Sequence, residues 1–241
     1  MDLSSTTLLR VAALGFAPGL FWLWYIVRRD KWEPEPARYI VAMYFWGMVS
    51  TVIPEAAAIT RRLIEVPPEI ASPLGSVVFA PLVEESSKFL FLFAATRRFK
   101  GFNREFDEPM DGIVYASAIA LGFASLENVN YMLVSYLFGN LPSTFYARAF
   151  LSVPGHMLFS GMWGYAWGMA RFAKKTGKKA AMTVTAGLGM AMLFHGVFNS
   201  IAMLSTGASL GFLALLVAAF WLVARRNIRI ALDRSPFRRD E

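Results

Sequence analysis

The sequence predicts an all-α membrane protein, a single-domain bundle of about seven transmembrane helices over residues 1–241. Three observations predict it. Hydrophobic residues fill 56% of the 241 positions, with a mean hydropathy of +0.45, well above that of soluble domains. Several stretches reach the roughly 20 mainly apolar residues that cross a bilayer. Basic residues also alternate from one loop to the next, as the positive-inside rule requires of a polytopic chain.

The elements follow in order. The first span, 8–27, is too long to be a removable signal peptide and lacks a small-residue cleavage site. A short cytoplasmic loop follows at 28–36, where Pro34 and Pro36 disfavour helix. The second span is 39–59, with Glu55 near its outer, interfacial end. The Pro67-Pro68 pair marks an outer turn at 66–69 before the third span, 72–96. Residues 97–110 read as a longer charged loop, with Asp111 placed to cap the fourth span, 111–136. An outer turn at 141–143 precedes the fifth span, 146–170, and the sixth and seventh are 180–204 and 208–224. The basic tail after Ala224 reads as a solvated or lipid-facing helix end.

Charge orients the bundle. Arg28, Arg29, Lys31 and Arg38 follow span one, and Arg97, Arg98, Lys100 and Arg104 follow span three. Arg171, Lys174, Lys175, Lys178 and Lys179 follow span five, and six arginines from Arg225 to Arg239 follow span seven. Only Arg10, Arg61, Arg62 and Arg148 fall on the opposite side, and Lys88 lies within span three. The N-terminus is therefore expected outside and the C-terminus in the cytoplasm. A net charge of +7 is topological on this reading. The expected partner is the lipid bilayer, and no nucleic acid. Zero cysteines exclude disulfides, a thiolate nucleophile and thiolate zinc ligands.

Against this apolar background the ionisable residues carry the functional signal. Glu84, Glu85, Glu127, His156 and His195 all lie inside apolar runs, where charged groups are costly and mark interior sites. Counted from the cytoplasmic end of each span, Glu84 and Glu85 stand about 12 residues in and the other three about 15 or 16, a spread of only about 6 Å. Four helices thus present a carboxylate or imidazole at nearly one depth. Within helices, Glu84 and Lys88 share a face, as do His195 and Asn199. Ser160, Gly164 and Gly168 form a small-residue stripe suited to close helix packing. Pro81 and Pro154 lie just before Glu84 and His156, where each must free a carbonyl one turn upstream.

Two imidazoles and a carboxylate match a catalytic His₂Glu zinc site with a position open for water, and a second glutamate then serves as general base. A metal-free version is equally drawable, with Glu84 deprotonating water while His195 and Asn199 stabilise an oxyanion. Other intramembrane protease classes are disfavoured. The chain has no H-E-x-x-H motif, no mid-span aspartate pair and no G-x-S-x-G around a serine.

The motifs Glu84-Glu85-Ser86-Ser87-Lys88, Phe123-Ala124-Ser125-Leu126-Glu127-Asn128, Pro154-Gly155-His156 and His195-Gly196-Val197-Phe198-Asn199 resemble those of the PrsW intramembrane proteases. The runs from Asp30 to Pro36 and from Asp107 to Gly112 add to the likeness, which covers nearly the whole chain. PrsW is in turn similar to the CAAX prenyl endopeptidase superfamily, with motifs E-E-x-x-x-R, F-x-x-x-H and H-x-x-x-N. Here Lys88 stands one residue closer than that arginine, and Glu127 stands in place of the first histidine.

The resemblance implies a multi-pass protease of a bacterial or archaeal plasma membrane that cleaves single-span membrane proteins such as anti-sigma factors. Glu84, Glu85, Lys88, Glu127, Asn128, His156, His195 and Asn199 are the candidate catalytic residues. Glu84 is the candidate base, and Glu85, Glu127, His156 and His195 are the candidate metal ligands, with Zn²⁺ as the ion. The rival reading is a proton- or cation-coupled transporter, which intramembrane Glu and His relays also serve, although no repeated Gly/Pro-broken spans support it.

Overall fold

A computed structural model of the protein describes residues 4–63, 74–172, 177–204 and 206–239. The turn expected at 66–69 and the basic Lys174 and Lys175 lie outside the described residues. The described chain is helical throughout, with no strand among those residues.

Helix α1, Ser5–Val27, begins at Ser4, whose hydroxyl accepts from the Thr7 amide at 3.3 Å. The loop 28–36 leads to α2, Ala37–Ser50, and α3, Val52–Leu63. The predicted second span is thus broken at Thr51. Pro54 cannot donate to the Ser50 carbonyl, and the Ser50 and Thr51 hydroxyls turn back onto the Gly47 and Met48 carbonyls, both at 2.7 Å.

A π-helical turn, Gly75–Phe79, runs into α4, Ala80–Arg98. The stretch expected as a loop at 97–110 contains a short helix, α5, Lys100–Glu105. Helix α6, Pro109–Leu137, starts two residues before Asp111, with proline in its first turn, where no donor is needed. Asp111 reaches back from that turn to accept the Asp107 and Glu108 amides, both at 2.7 Å. Then come α7, Leu141–Ala147, a second π-helical turn, Arg148–Ser152, and α8, Val153–Phe172. Helices α9, Lys178–Met203, and α10, Gly207–Asp233, complete the bundle. Thr206 and Ser209 form a capping box that starts α10.

Helix α6 is the axis. The most apolar window of α6 is 83% buried, against 22% for α9 and for α10, so α6 is wrapped by protein while α9 and α10 turn most of their surface outward. The small-residue stripe lets α8 press onto α6, because a Cβ at Gly164 would collide with the Gly112 carbonyl and one at Gly168 with the Pro109 carbonyl.

Among the described residues, α1, α2–α3 together, α6, α9 and α10 are long and apolar enough to cross a membrane. The segments ending in α4 and α8 coincide with the third and fifth predicted spans. They carry Glu84, Glu85 and Lys88 on one and His156 on the other. The chain is an all-α, multi-pass membrane protein.

Candidate active site

Two proline-bearing π turns aim the site. In a π turn the carbonyl of residue i seeks the amide of i+5, but the partners of Ser76 and Ala149 would be Pro81 and Pro154, which have no N–H. Each orphaned carbonyl is satisfied by a side chain from another helix. Asn199 Nδ2 of α9 donates to the Ser76 carbonyl at 2.8 Å, and Trp22 Nε1 of α1 donates to the Ala149 carbonyl at 2.9 Å. The helices leave these turns with Glu84 and His156 directed inward, each less than a turn beyond its proline.

Glu84, Glu85, Lys88, His156 and His195 are all buried. Glu85 is fully engaged. One oxygen, Oε1, accepts from Lys88 Nζ at 2.8 Å and His195 Nδ1 at 3.2 Å, while Oε2 accepts from Ser160 Oγ at 2.7 Å and Trp163 Nε1 at 3.0 Å. Lys88 Nζ also donates to His156 Nδ1 at 3.1 Å and lies over the Phe123 ring, 4.2 Å from its centroid. Glu127 Oε2 accepts from Arg148 at 2.6 Å and faces His156 Nε2 at 3.2 Å. The Phe159 ring stacks on His195.

The partners assign the histidine tautomers. Lys88 can only donate, so His156 Nδ1 accepts and Nε2–H points to Glu127. An ionised Glu85 can only accept, so His195 Nδ1 carries its proton. The lone pair on His195 Nε2 then faces Glu84 Oε2 at 3.8 Å, and His156 Nδ1 lies 4.0 Å from that same oxygen. Glu84 Oε2 is a buried oxygen with no hydrogen bond, 3.7 Å from Lys88 Nζ. These separations exceed a hydrogen bond. Ligand atoms of Glu84, His156 and His195 lie within 4.8 Å of one another, a spacing that one metal ion or water oxygen can bridge. The carboxylate and two imidazoles form a zinc-type donor set, and the Glu85–His195 bond is the outer-shell contact that orients a metal-binding histidine. The one competing claim is on His156 Nδ1, which Lys88 also holds.

The remaining sequence-derived candidates sit around this core. Asn128 holds two helices, donating to the Gly15 carbonyl at 3.2 Å and accepting from Arg148 Nε. Asn199 is turned away to the Ser76 carbonyl.

Arg148, Ser160, Trp163 and Phe123 also belong to the site. Arg148 is 8% exposed, although its place in the chain reads as an outer-loop cation. The only signal for it was its position among the few basic residues on the basic-poor side.

A cleft of about 860 Å³ leads to this cluster between α3, the first π turn with α4, and α6. Glu84, Phe123 and Glu127 form its inner wall, and Thr51, Glu55, Thr60, Phe79 and Leu133 line the rest. Glu127 is partly open to the cleft, its side chain 25% exposed.

A multi-helix membrane bundle that gathers carboxylates and imidazoles from four helices beside a cleft has the architecture of an intramembrane hydrolase. The sequence model of the family described as "PrsW family intramembrane metalloprotease" matches residues 35–224, and the chain belongs to that family. It is 32% identical to Protease PrsW of Geobacillus kaustophilus, covering 90% of each chain. It is 30% identical to Protease PrsW of Oceanobacillus iheyensis over 95% of this chain and 99% of that one. Identity to Protease PrsW of Bacillus subtilis is 29%, over 90% of this chain and 93% of the relative. No solved structure matches. The protein is an intramembrane protease of the cell membrane.

Proposed function

We propose that Glu84, His156 and His195 activate the water that cleaves a membrane-anchored polypeptide lying in the α3–α4–α6 cleft. One observation carries this reading. Glu84, on the inner wall of that cleft, turns Oε2 toward His195 Nε2 at 3.8 Å, two acceptors in an arrangement that calls for a proton donor or a cation between them. Glu84, His195 and His156 would hold a metal there, and Zn²⁺ suits the donors. Bound, such an ion supplies Lewis acidity and brings the pKa of its water near 7.

The chain's own residues have separate tasks. Glu85 fixes the ring plane and tautomer of His195. Arg148 and Asn128 hold Glu127 at the cleft wall. Glu127 Oε1, which carries none of the bonds to Arg148 or His156, accepts the proton of the attacking water and returns it to the departing amine. The cleft admits an extended or locally unwound segment, and a single-span protein is the substrate class that reaches it from the bilayer.

A second reading rests on Lys88. Its ammonium already lies 3.1 Å from His156 Nδ1 and 3.7 Å from Glu84 Oε2, so a metal-free site would use that ammonium as the fixed positive charge and Glu84 as the base.

Purified protein reconstituted with a tagged single-span substrate tests both. Glu84→Gln and His195→Ala are each expected to reduce cleavage by about 10³-fold, and undiminished turnover in either would overturn the assignment. Elemental analysis then separates the readings. One equivalent of zinc, lost in His195→Ala and removed by chelator together with activity, supports the metal site. Chelator-resistant cleavage by zinc-free protein supports the Lys88 reading.

A further inference from the structure

Two motifs of the chain lie outside the candidate hydrolytic site, the runs 30–36 and 107–112, and the fold brings them together at the end of the bundle away from the cleft. Asp30 of the α1–α2 loop, Glu108 before α6 and Asp111 in its first turn present carboxylate oxygens that lie within 4.8 Å of one another. They are not a solvated acidic patch. Asp30 is 5% exposed, and Glu108 and Asp111 are 0% exposed. Glu35, also 5% exposed, stands beside them with Oε2 held by the Tyr115 hydroxyl.

The second observation is that most oxygens aimed into the cluster have no donor. Asp30 Oδ1 and Oδ2, Asp111 Oδ1 and Glu35 Oε1 are buried without a hydrogen bond, while the Glu108 side chain faces the Asp111 amide in the capping box that starts α6. The ion pairs among the described residues lie elsewhere, at Lys88, Arg148, the two histidines and Arg238. Arg171, which senses Asp111 and Asp107 electrostatically, bonds instead to Asn103, at 2.9 Å to its carbonyl and 3.2 Å to Oδ1.

We propose that Asp30, Glu108 and Asp111, with Glu35 alongside, bind a hard divalent cation, Mg²⁺, Ca²⁺ or Mn²⁺, distinct from the hydrolytic centre. Unpaired buried carboxylates are among the most costly groups a protein can hold. A cation relieves that cost directly. The donors are all oxygen with no imidazole among them, which selects hard ions over zinc or copper. Along α6, Asp111 and Glu127 are separated by about 24 Å, so the two sites load independently. The ion would staple the α1–α2 loop to the start of the central helix.

The test uses the full-length protein in detergent, stripped with chelator and titrated with Mn²⁺ while free Mn²⁺ is read by electron paramagnetic resonance. Wild type is expected to take up one Mn²⁺ that excess Mg²⁺ or Ca²⁺ displaces, and His195→Ala should retain it. Asp30→Asn and Glu108→Gln should each weaken uptake at least tenfold. Millimolar Mg²⁺ should raise the Tm of wild type by several degrees but not that of either variant. Two results overturn the proposal. One is a wild-type protein that binds no displaceable Mn²⁺ and gains no Tm from Mg²⁺, which needs no variant to fold. The other is a pair of variants that gain stability without Mn²⁺ uptake in wild type, the mark of carboxyls sharing protons.

Discussion

Glu84 and Glu85 are neighbours in the chain and opposites in bonding. Glu85 accepts from a lysine, a histidine, a serine and a tryptophan, while Glu84 Oε2 accepts from none. Removing the charge of Glu85 leaves the buried Lys88 ammonium without its nearest partner and turns an amide N–H₂ toward donors. Breaking a buried pair in this way costs about 3–5 kcal/mol. Glu85→Gln should therefore lower Tm strongly in detergent, whereas Glu84→Gln should unfold within a degree or two of wild type yet be inactive. Equal melting shifts for both would remove the distinction drawn between them. The sequence supports a different role for each carboxylate only as far as their roughly 100° separation on a helix. Which one is saturated depends on Ser160 and Trp163 from another helix, residues that read as packing in an apolar, aromatic-rich run.

At the scale of elements, the two proline-bearing π turns are the same device used twice. Each removes one amide from the ladder, and each orphaned carbonyl is claimed by a side chain on a distant helix, Asn199 for Ser76 and Trp22 for Ala149. Both prolines were legible in the sequence as points where a carbonyl is freed. Their rescuers were not, since nothing in the chain pairs residue 22 with 149 or 199 with 76. Leaving a fully buried carbonyl unsatisfied costs about 1–3 kcal/mol, and the Ser76 carbonyl is part-buried, so Asn199→Ala should destabilise the protein by about 1 kcal/mol, the low end of that range. Restoring an amide with Pro81→Ala should reduce the cost, giving a coupling of at least about 0.5 kcal/mol in a double-mutant cycle. Additive losses would show that Asn199 does not serve this carbonyl.

For the whole molecule, the sequence disclosed the bundle and the common depth of Glu84, Glu127, His156 and His195 because ionisable groups stand out in long apolar runs. It concealed whatever depended on chain folding back at a span's edge. Arg148 reads as an outer cation but turns inward to hold Glu127 at 2.6 Å, and Asp30, Glu35 and Glu108 read as loop charges but are buried. The same charge pattern predicts the orientation, because basic loops stay in the cytoplasm. On that orientation the cleft, lined by Thr51, Glu55 and Thr60, opens toward the outer half of the membrane, and the four-carboxylate cluster faces the cytoplasm. Zero cysteines make the chain a clean background for labelling. Ser143→Cys and Arg234→Cys replace exposed residues at opposite ends of the bundle. In intact cells, a membrane-impermeant maleimide should modify Ser143→Cys at once and Arg234→Cys only after permeabilisation. The reverse pattern would invert the bundle, turning the mouth of the cleft to the cytoplasm and the carboxylate cluster to the outside.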